Sequence, residues 1–331
     1  MTTIRWGMIG CGDVTEVKSG PGFAKARDSA LVAVMRRDGR LAADYARRHG
    51  VPRWHDDADA IIRAPDIDAV YVATLTDTHC AYTLRCAAAG KPVYVEKPMG
   101  MNHGECVRMV EACRAAGVPL WVGYYRRTLP RLLAVRDLLA QGAIGELRLA
   151  VVRQFQRLPP KEQFAAGIPW RVDPARSGGG FFFEGSCHTF DILDFLLGPI
   201  AEIRGFSANQ AGAYRAEDVV TASMRFASGV YATGAWCFAS DVDEEHVELV
   251  GSEGRLRFSV FAPVPIRVSH GERHEEIPVG DPPHVHQPMI QSIVDELNGS
   301  GSCPSTGESA ARTAAVMDRL LKDCAVRDER R

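Results

Sequence analysis

The sequence predicts an α/β doubly wound parallel sheet at the N-terminus, followed by an α+β part built on a large, mostly antiparallel sheet. Three observations predict it. Short apolar runs alternate with amphipathic helical stretches as far as residue 122. From 202 to 278 paired strand-like runs flank turn residues instead. At 331 residues, with 46% hydrophobic and 24% charged side chains, the chain is long enough for two domains and too apolar to stay disordered. The expected division is 1–122 and 123–331.

The apolar runs at 4–9, 31–35, 69–73, 92–95 and 120–122 read as strands covered on both faces, because a polar residue does not alternate through them. Helical patterns at 41–49, 79–89 and 106–116 lie between them. Each ends near a glycine, Gly50, Gly90 or Gly117, the residue that tolerates a left-handed helix terminus. A helix at 129–140 and an extended stretch at 144–155 follow. Strands at 219–226 and 230–238 flank Ser228-Gly229, and strands at 246–250 and 255–260 flank residues 251–254, which are hairpin signals. Helices at 289–298 and 308–326 close the chain.

A net charge of −2 gives no attraction for nucleic acid or an anionic membrane. No window nears the ~18 continuous apolar residues of a membrane span. The N-terminus runs straight into a strand, so a cytoplasmic protein is expected. Nine scattered cysteines without a Cys-x-x-Cys pair read as buried hydrophobes in a reducing compartment. His284-Val285-His286 lacks a third ligand at metal spacing, so no metal site is expected. His284, His286 and Gln287 stay as polar residues at a cleft edge.

The first strand runs into Gly10-Cys11-Gly12-Asp13-Val14-Thr15. Gly10 permits the tight turn, and Gly12 lets main-chain N–H groups approach a pyrophosphate. Placed between a strand and a helix, this is the Rossmann signal for a dinucleotide, although Thr15 replaces the third glycine. The second strand ends in Arg36-Arg37-Asp38. Guanidinium groups suit a 2′-phosphate, whereas a carboxylate there would hold a ribose 2′-hydroxyl. NADP(H) is therefore expected over NAD(H). Asp38 leaves NAD possible if the strand runs two residues further.

Lys91-Pro92-Val93-Tyr94-Val95-Glu96-Lys97-Pro98 is more specific. With Ala73-Thr74, His79, Arg126-Arg127, Trp170-Arg171, Gly178-Gly179-Gly180, Glu184, His188 and Asp191, it resembles the glucose–fructose oxidoreductase/inositol dehydrogenase family (Gfo/Idh/MocA) over nearly the whole length. The resemblance implies an NAD(P)-dependent dehydrogenase or reductase acting on CH–OH groups of a sugar, polyol or related small compound. It implies that Lys97 lies between nicotinamide and substrate hydroxyl, that the Lys97-Pro98 bond is cis, and that His188 transfers the proton. It places Thr74, His79, Glu96, Lys97, Trp170 and Arg171 with the cofactor. Tyr125, Arg127, Trp170, Glu184, His188 and Asp191 are expected around substrate, Tyr125 and Arg127 at the cleft between domains. Catalysis is assigned to Lys97, His188 and Glu184.

The chemistry supports these roles separately. Moving a hydride from a carbinol carbon needs a base for the hydroxyl proton, and histidine titrates near neutrality. An ammonium stabilises alkoxide character. Residues 184, 188 and 191 fall on one helical stripe, behind three glycines that allow close backbone approach. Most relatives have Asp where this chain has Glu184, which bears on the substrate more than on the reaction. A glycosidase using nicotinamide for transient oxidation is the alternative, and a cofactor-sensing regulator without turnover is the third. An apolar open face on the second sheet is expected to pair subunits into a homodimer or homotetramer.

Overall fold

Six short strands carry the first sheet: β1 (Ile4–Ile9), β2 (Ser29–Met35), β3 (Arg53–His55), β4 (Ala69–Val72), β5 (Val93–Val95) and β6 (Leu120–Val122). All neighbours are parallel, in the order β3-β2-β1-β4-β5-β6. This is the order of a doubly wound dinucleotide-binding sheet, whose ligands bind outside the carboxyl ends of the strands. The structure is a computed structural model that describes residues 2–160 and 169–328, with side chains as far as residue 322. Helices Gly39–His49, Thr76–Ala88 and His103–Ala115 supply crossovers. Gly50, Gly90 and Gly117 all take positive φ after helices, as expected.

The second sheet has eight strands: β7 (Leu147–Arg157), β8 (Ile200–Ala208), β9 (Val219–Phe226), β10 (Tyr231–Ser240), β11 (Glu244–Gly251), β12 (Arg255–Phe258), β13 (Ile266–His270) and β14 (Arg273–Ile277). Their order is β14-β13-β12-β11-β7-β10-β9-β8. Every neighbouring pair is antiparallel except β7 with β10. Both predicted hairpins are present, with Gly229 at φ +88 in one turn.

The chain divides into two units. One comprises Met1–Leu129 and Pro282–Ala311, the other Pro130–Asp281 and Arg312–Arg331. A single boundary after residue 122 was expected. Instead the helix Gln287–Leu297 and its flanks return to the first sheet, where Trp121 Nε1 donates to Glu296 at 3.2 Å and Arg127 Nη1 to the Pro304 carbonyl at 3.1 Å.

In the first unit Trp6, Phe23, Tyr71 and Tyr94 meet in sequence through the core, with centroid separations of 5.1, 5.2 and 4.6 Å, the first pair edge-on and the last stacked. In the second, helix Phe181–Leu197 lays Phe182 and Phe190 on Trp236 of β10. Ser186 and Thr189 of that helix donate to Gln154 of β7. That face of the sheet is the core, and the helix is thereby fixed in rotation.

The other face is mixed. β7 turns Leu149, Val151 and Phe155 to it beside Arg153, and β10 adds Tyr231. β9 presents Thr221, Ser223 and Arg225, and β11 and β12 present His246, Glu248 and Arg257. The apolar surface expected there is a strip along β7, bordered by polar and charged residues. Phe206 and Tyr231, 65% and 60% exposed, are its most exposed large hydrophobic side chains.

Candidate active site

The first unit holds the residues assigned to the cofactor. After β1 the chain turns at Gly10 (φ +98), where a Cβ would lie 2.8 Å from the Ala73 main chain. Only glycine fits there. A Cβ on Gly12 would meet nothing within 4 Å, so the space above the turn is open to a ligand. That open turn, leading into helix Asp13–Val17, fits a dinucleotide pyrophosphate. Asp13 and Val14 begin the helix. Cys11 is buried, and burial pushes its thiol up to about 11, so it stays neutral and unreactive.

At the end of β2, Arg36, Arg37, Arg40, Trp54 and Asp56 line an open depression. The strand stops at Met35, and Asp38 caps the next helix, accepting from the Arg40 amide at 3.0 Å and from the Arg40 side chain. The Arg40 guanidinium holds the Asp38 carboxyl below its usual range. The acidic alternative for Asp38 thus meets a carboxylate already engaged by its own helix. Arg40 and Trp54 escaped the sequence reading. An Arg five residues past the strand tip was the available signal for the first.

Beyond β4, Thr74 accepts from the Thr78 hydroxyl at 2.7 Å. His79 is buried with its ring nitrogens against the Pro98 and Thr74 carbonyls, at 2.9 and 3.1 Å, and burial lowers its pKa. Its imidazole therefore ties one loop to the other, where a cofactor contact was expected. The Lys97-Pro98 bond is cis, as the resemblance implied. Glu96 turns inward. Its carboxylate accepts from Tyr71 Oη at 2.5 Å and from the Lys97 amide at 3.2 Å, and burial raises its pKa. Lys97, the next residue, is half-buried.

The Tyr124–Thr128 stretch follows β6. Tyr125 packs against the His286 ring with centroids 4.2 Å apart, and the Arg126 guanidinium lies over the Tyr125 ring at 4.8 Å. Arg127 is buried and braces the 304 carbonyl.

The second unit carries the residues assigned to proton transfer. Glu184, His188 and Asp191 share helix Phe181–Leu197 at the predicted spacing. His188 and Asp191 are buried, at 4% and 0% exposure, and the His188 ring meets Phe261 edge-on at 6.1 Å. Gly179 and Gly180 precede the helix. A Cβ on Gly180 would collide with Ala216, so the chain needs glycine to pass under the 214–217 segment. Arg171 stacks on Trp170 at 4.5 Å and reaches Glu184 Oε1 at 3.8 Å. Trp170, Arg171 and Glu184 thus form a row, which the sequence did not reveal because the first two lie on a separate 3₁₀ turn, Trp170–Val172.

Glu217 was also missed. Its Oε1 is buried without a hydrogen-bond partner among the described residues, and burial raises the carboxyl to about 7.

Residues 4–124 match an oxidoreductase family with an NAD-binding Rossmann fold, and residues 132–257 match the GFO/IDH/MocA C-terminal domain. The chain is 36% identical to "Oxidoreductase P35" of Formosa agariphila over 315 residues, covering 95% of this chain and 97% of that one. It is 29% identical to a 1,5-anhydro-D-fructose reductase of Ensifer adhaerens, covering 97% and 96%. Its fold is similar to that of a levoglucosan dehydrogenase solved with NADH and levoglucosan, with a TM-score of 0.87 at 20% identity and 97% of each chain covered. With both parts of the chain matched, this protein belongs to the Gfo/Idh/MocA family of NAD(P)-binding oxidoreductases.

Proposed function

We propose that this chain is an NADP(H)-dependent oxidoreductase that moves a hydride between the nicotinamide and a hydroxyl or carbonyl carbon of a sugar, polyol or related small compound. One observation carries the cofactor preference: Asp38 is engaged as a helix cap, while Arg36, Arg37 and Arg40 line the depression at the end of β2. Three guanidinium groups there favour a 2′-phosphate. The similarity to a 1,5-anhydro-D-fructose reductase supports a sugar-like substrate.

The nicotinamide, when bound, supplies the two-electron donor or acceptor. His188 takes the hydroxyl proton in oxidation and returns it in reduction, a task suited to an imidazole near neutrality. The Lys97 ammonium stabilises negative charge on the reacting oxygen. Glu184 lies one helical turn before His188 and favours its protonated form, with Arg171 fixing the carboxylate. Trp170 offers a flat apolar surface, and the resemblance assigns Tyr125, Arg127 and Asp191 to substrate.

The test is a panel of sugars, anhydro-sugars, inositols and diols assayed with NADP+ and NADPH by nicotinamide absorbance. Turnover of a panel member, faster with the phosphorylated cofactor, is expected. Absence of both turnover and dinucleotide binding would sink the reading. Seven of the eight described cysteines are buried, which fits small apolar side chains in a reducing, cytoplasmic setting. Association into a homodimer or homotetramer through the exposed sheet face rests on Phe206 and Tyr231, and light scattering on Phe206→Glu should report monomers.

A further inference from the structure

The turn that follows β12 is held by charged side chains from other elements of its unit. Arg131, buried in helix Pro130–Ala140, donates from Nη1 to the Ser259 carbonyl and from Nη2 to the Val260 carbonyl, the latter at 2.7 Å. Its Nε donates to the Asp281 carboxylate at 2.9 and 3.1 Å. Glu245 of β11 accepts from the Ser259 hydroxyl, from the Val260 amide at 2.9 Å and from the Phe261 amide at 3.4 Å. The Ser259 oxygen in turn accepts from the Phe261 and Ala262 amides, at 3.0 and 2.7 Å.

Taking charged groups out of water is costly unless they are well paired. Their convergence on one turn implies that the place of that turn matters. What the turn presents is Phe261, whose side chain is partly exposed. Its ring meets the His188 ring with centroids 6.1 Å apart and an interplanar angle of 83°. Aromatic rings favour this edge-to-face geometry, at separations of roughly 4.5–7 Å.

His188 has a use for such a neighbour. The bonds from Ser186 and Thr189 to Gln154 fix its helix, but an imidazole still turns about a broad, two-fold terminal torsion. Proton transfer requires hydrogen-bond reach, so the rotation of the ring matters as much as the place of the helix.

We propose that Phe261 is a positioning residue for proton transfer, held by Arg131 and Glu245 so that its ring keeps the His188 imidazole turned toward the reacting oxygen. This role rests on the reading of His188 as the proton-transferring residue. It adds Arg131, Glu245 and Phe261, none of which belongs to a motif in the sequence.

A first measurement needs no substrate. Histidine-labelled protein is examined by NMR, and the ring resonances of His188 are identified as those lost in His188→Ala. Phe261→Ala should move them by removing a ring current, and Glu245→Gln should move them by loosening the turn. Resonances that stay in place in either variant overturn the proposal.

A second measurement is the single-turnover rate of NADP+ reduction by stopped-flow absorbance, with the panel member that the wild type oxidises fastest. Phe261→Ala should lower the limiting rate by about 10- to 100-fold, as misplacement of a reacting group implies, with the half-saturating substrate concentration within about threefold. Phe261→Tyr keeps the ring and should stay within about threefold of wild type in rate. Glu245→Gln should slow the reaction less than Phe261→Ala, and the double variant should be no slower than Phe261→Ala alone, because both act through one contact. An unchanged limiting rate in Phe261→Ala, a loss confined to half-saturation, or additive losses in the double variant overturns the proposal. If the wild type oxidises no panel member, or His188→Ala leaves the rate unchanged, the reading of His188 itself fails. Should Phe261→Ala not fold, Phe261→Leu fills similar space without a ring and takes its place in both measurements.

Discussion

Arg36, the first residue past β2, turns back across the sheet end and donates Nη1–H to the Cys11 carbonyl at 3.3 Å. The side chain expected to meet a 2′-phosphate therefore also braces the glycine turn. Arg36→Ala should weaken NADPH binding by about 10- to 150-fold, as loss of a charge-assisted hydrogen bond implies. NADH should weaken only a few-fold, through the shared brace. Titrations with both cofactors check this, and equal losses would count against a phosphate contact.

Replacing His188 isolates the proton transfer. His188→Ala should lower the turnover number by about 10² to 10⁴ while NADPH affinity stays within about twofold. Unchanged turnover on an established substrate would remove His188 from the mechanism.

Glu184 and Arg171 allow a sharper test. Glu184→Gln removes the negative charge one turn from His188, so the imidazolium loses support and the apparent pKa of the pH–rate profile should fall. Glu184→Asp draws the carboxylate back from Arg171, 3.8 Å away in the native chain. If the carboxylate only orients His188, activity should survive within about tenfold, or ~1.4 kcal/mol. A changed ranking of substrates in the Asp variant would instead show that Glu184 touches substrate.

Glu217 gives a pH signature in stability. Burial raises its carboxyl from 4.5 to about 7, so between those values the folded chain binds more protons than the unfolded one. Its contribution to stability therefore falls as pH rises through that window. Glu217→Gln should melt a few degrees above wild type at pH 8, on a scale of roughly 2–4 °C per kcal/mol. The two curves should converge near pH 4.5. A constant difference across the range would mean that the carboxyl is not buried in its acid form.

Much of this was readable from periodicity. β1, β6 and β9 coincide with their apolar runs, and 184, 188 and 191 lie on one helix because helical spacing is local information. Pairing between distant strands is not local. Nothing in the residues of β7 announces that it lies parallel to β10, nor does the three-residue β3 present enough pattern to be recognised. The open face of the second sheet was read only in part, because alternation shows that two faces differ without showing how polar residues such as Arg153 and Thr221 are mixed into the outer one. The same limit hid the site details. Asp38 as a cap, His79 as a tie and Arg131 as a brace on the Val260 carbonyl depend on which atoms meet, and the sequence shows only which residues are available.

The return of Pro282–Ala311 to the first unit bears on how the protein is made. A ribosome releases the six strands of the first sheet early, but Trp121 and Tyr94 await partners, Glu296 and His286, that are translated near the end. Until then the nascent sheet exposes aromatic surface that the finished molecule buries, a condition that invites aggregation. Translation must therefore be almost complete before the nucleotide-binding unit can close. Chains that stall or are cut short before residue 282 should be clients for chaperones and proteases, not partially active enzyme.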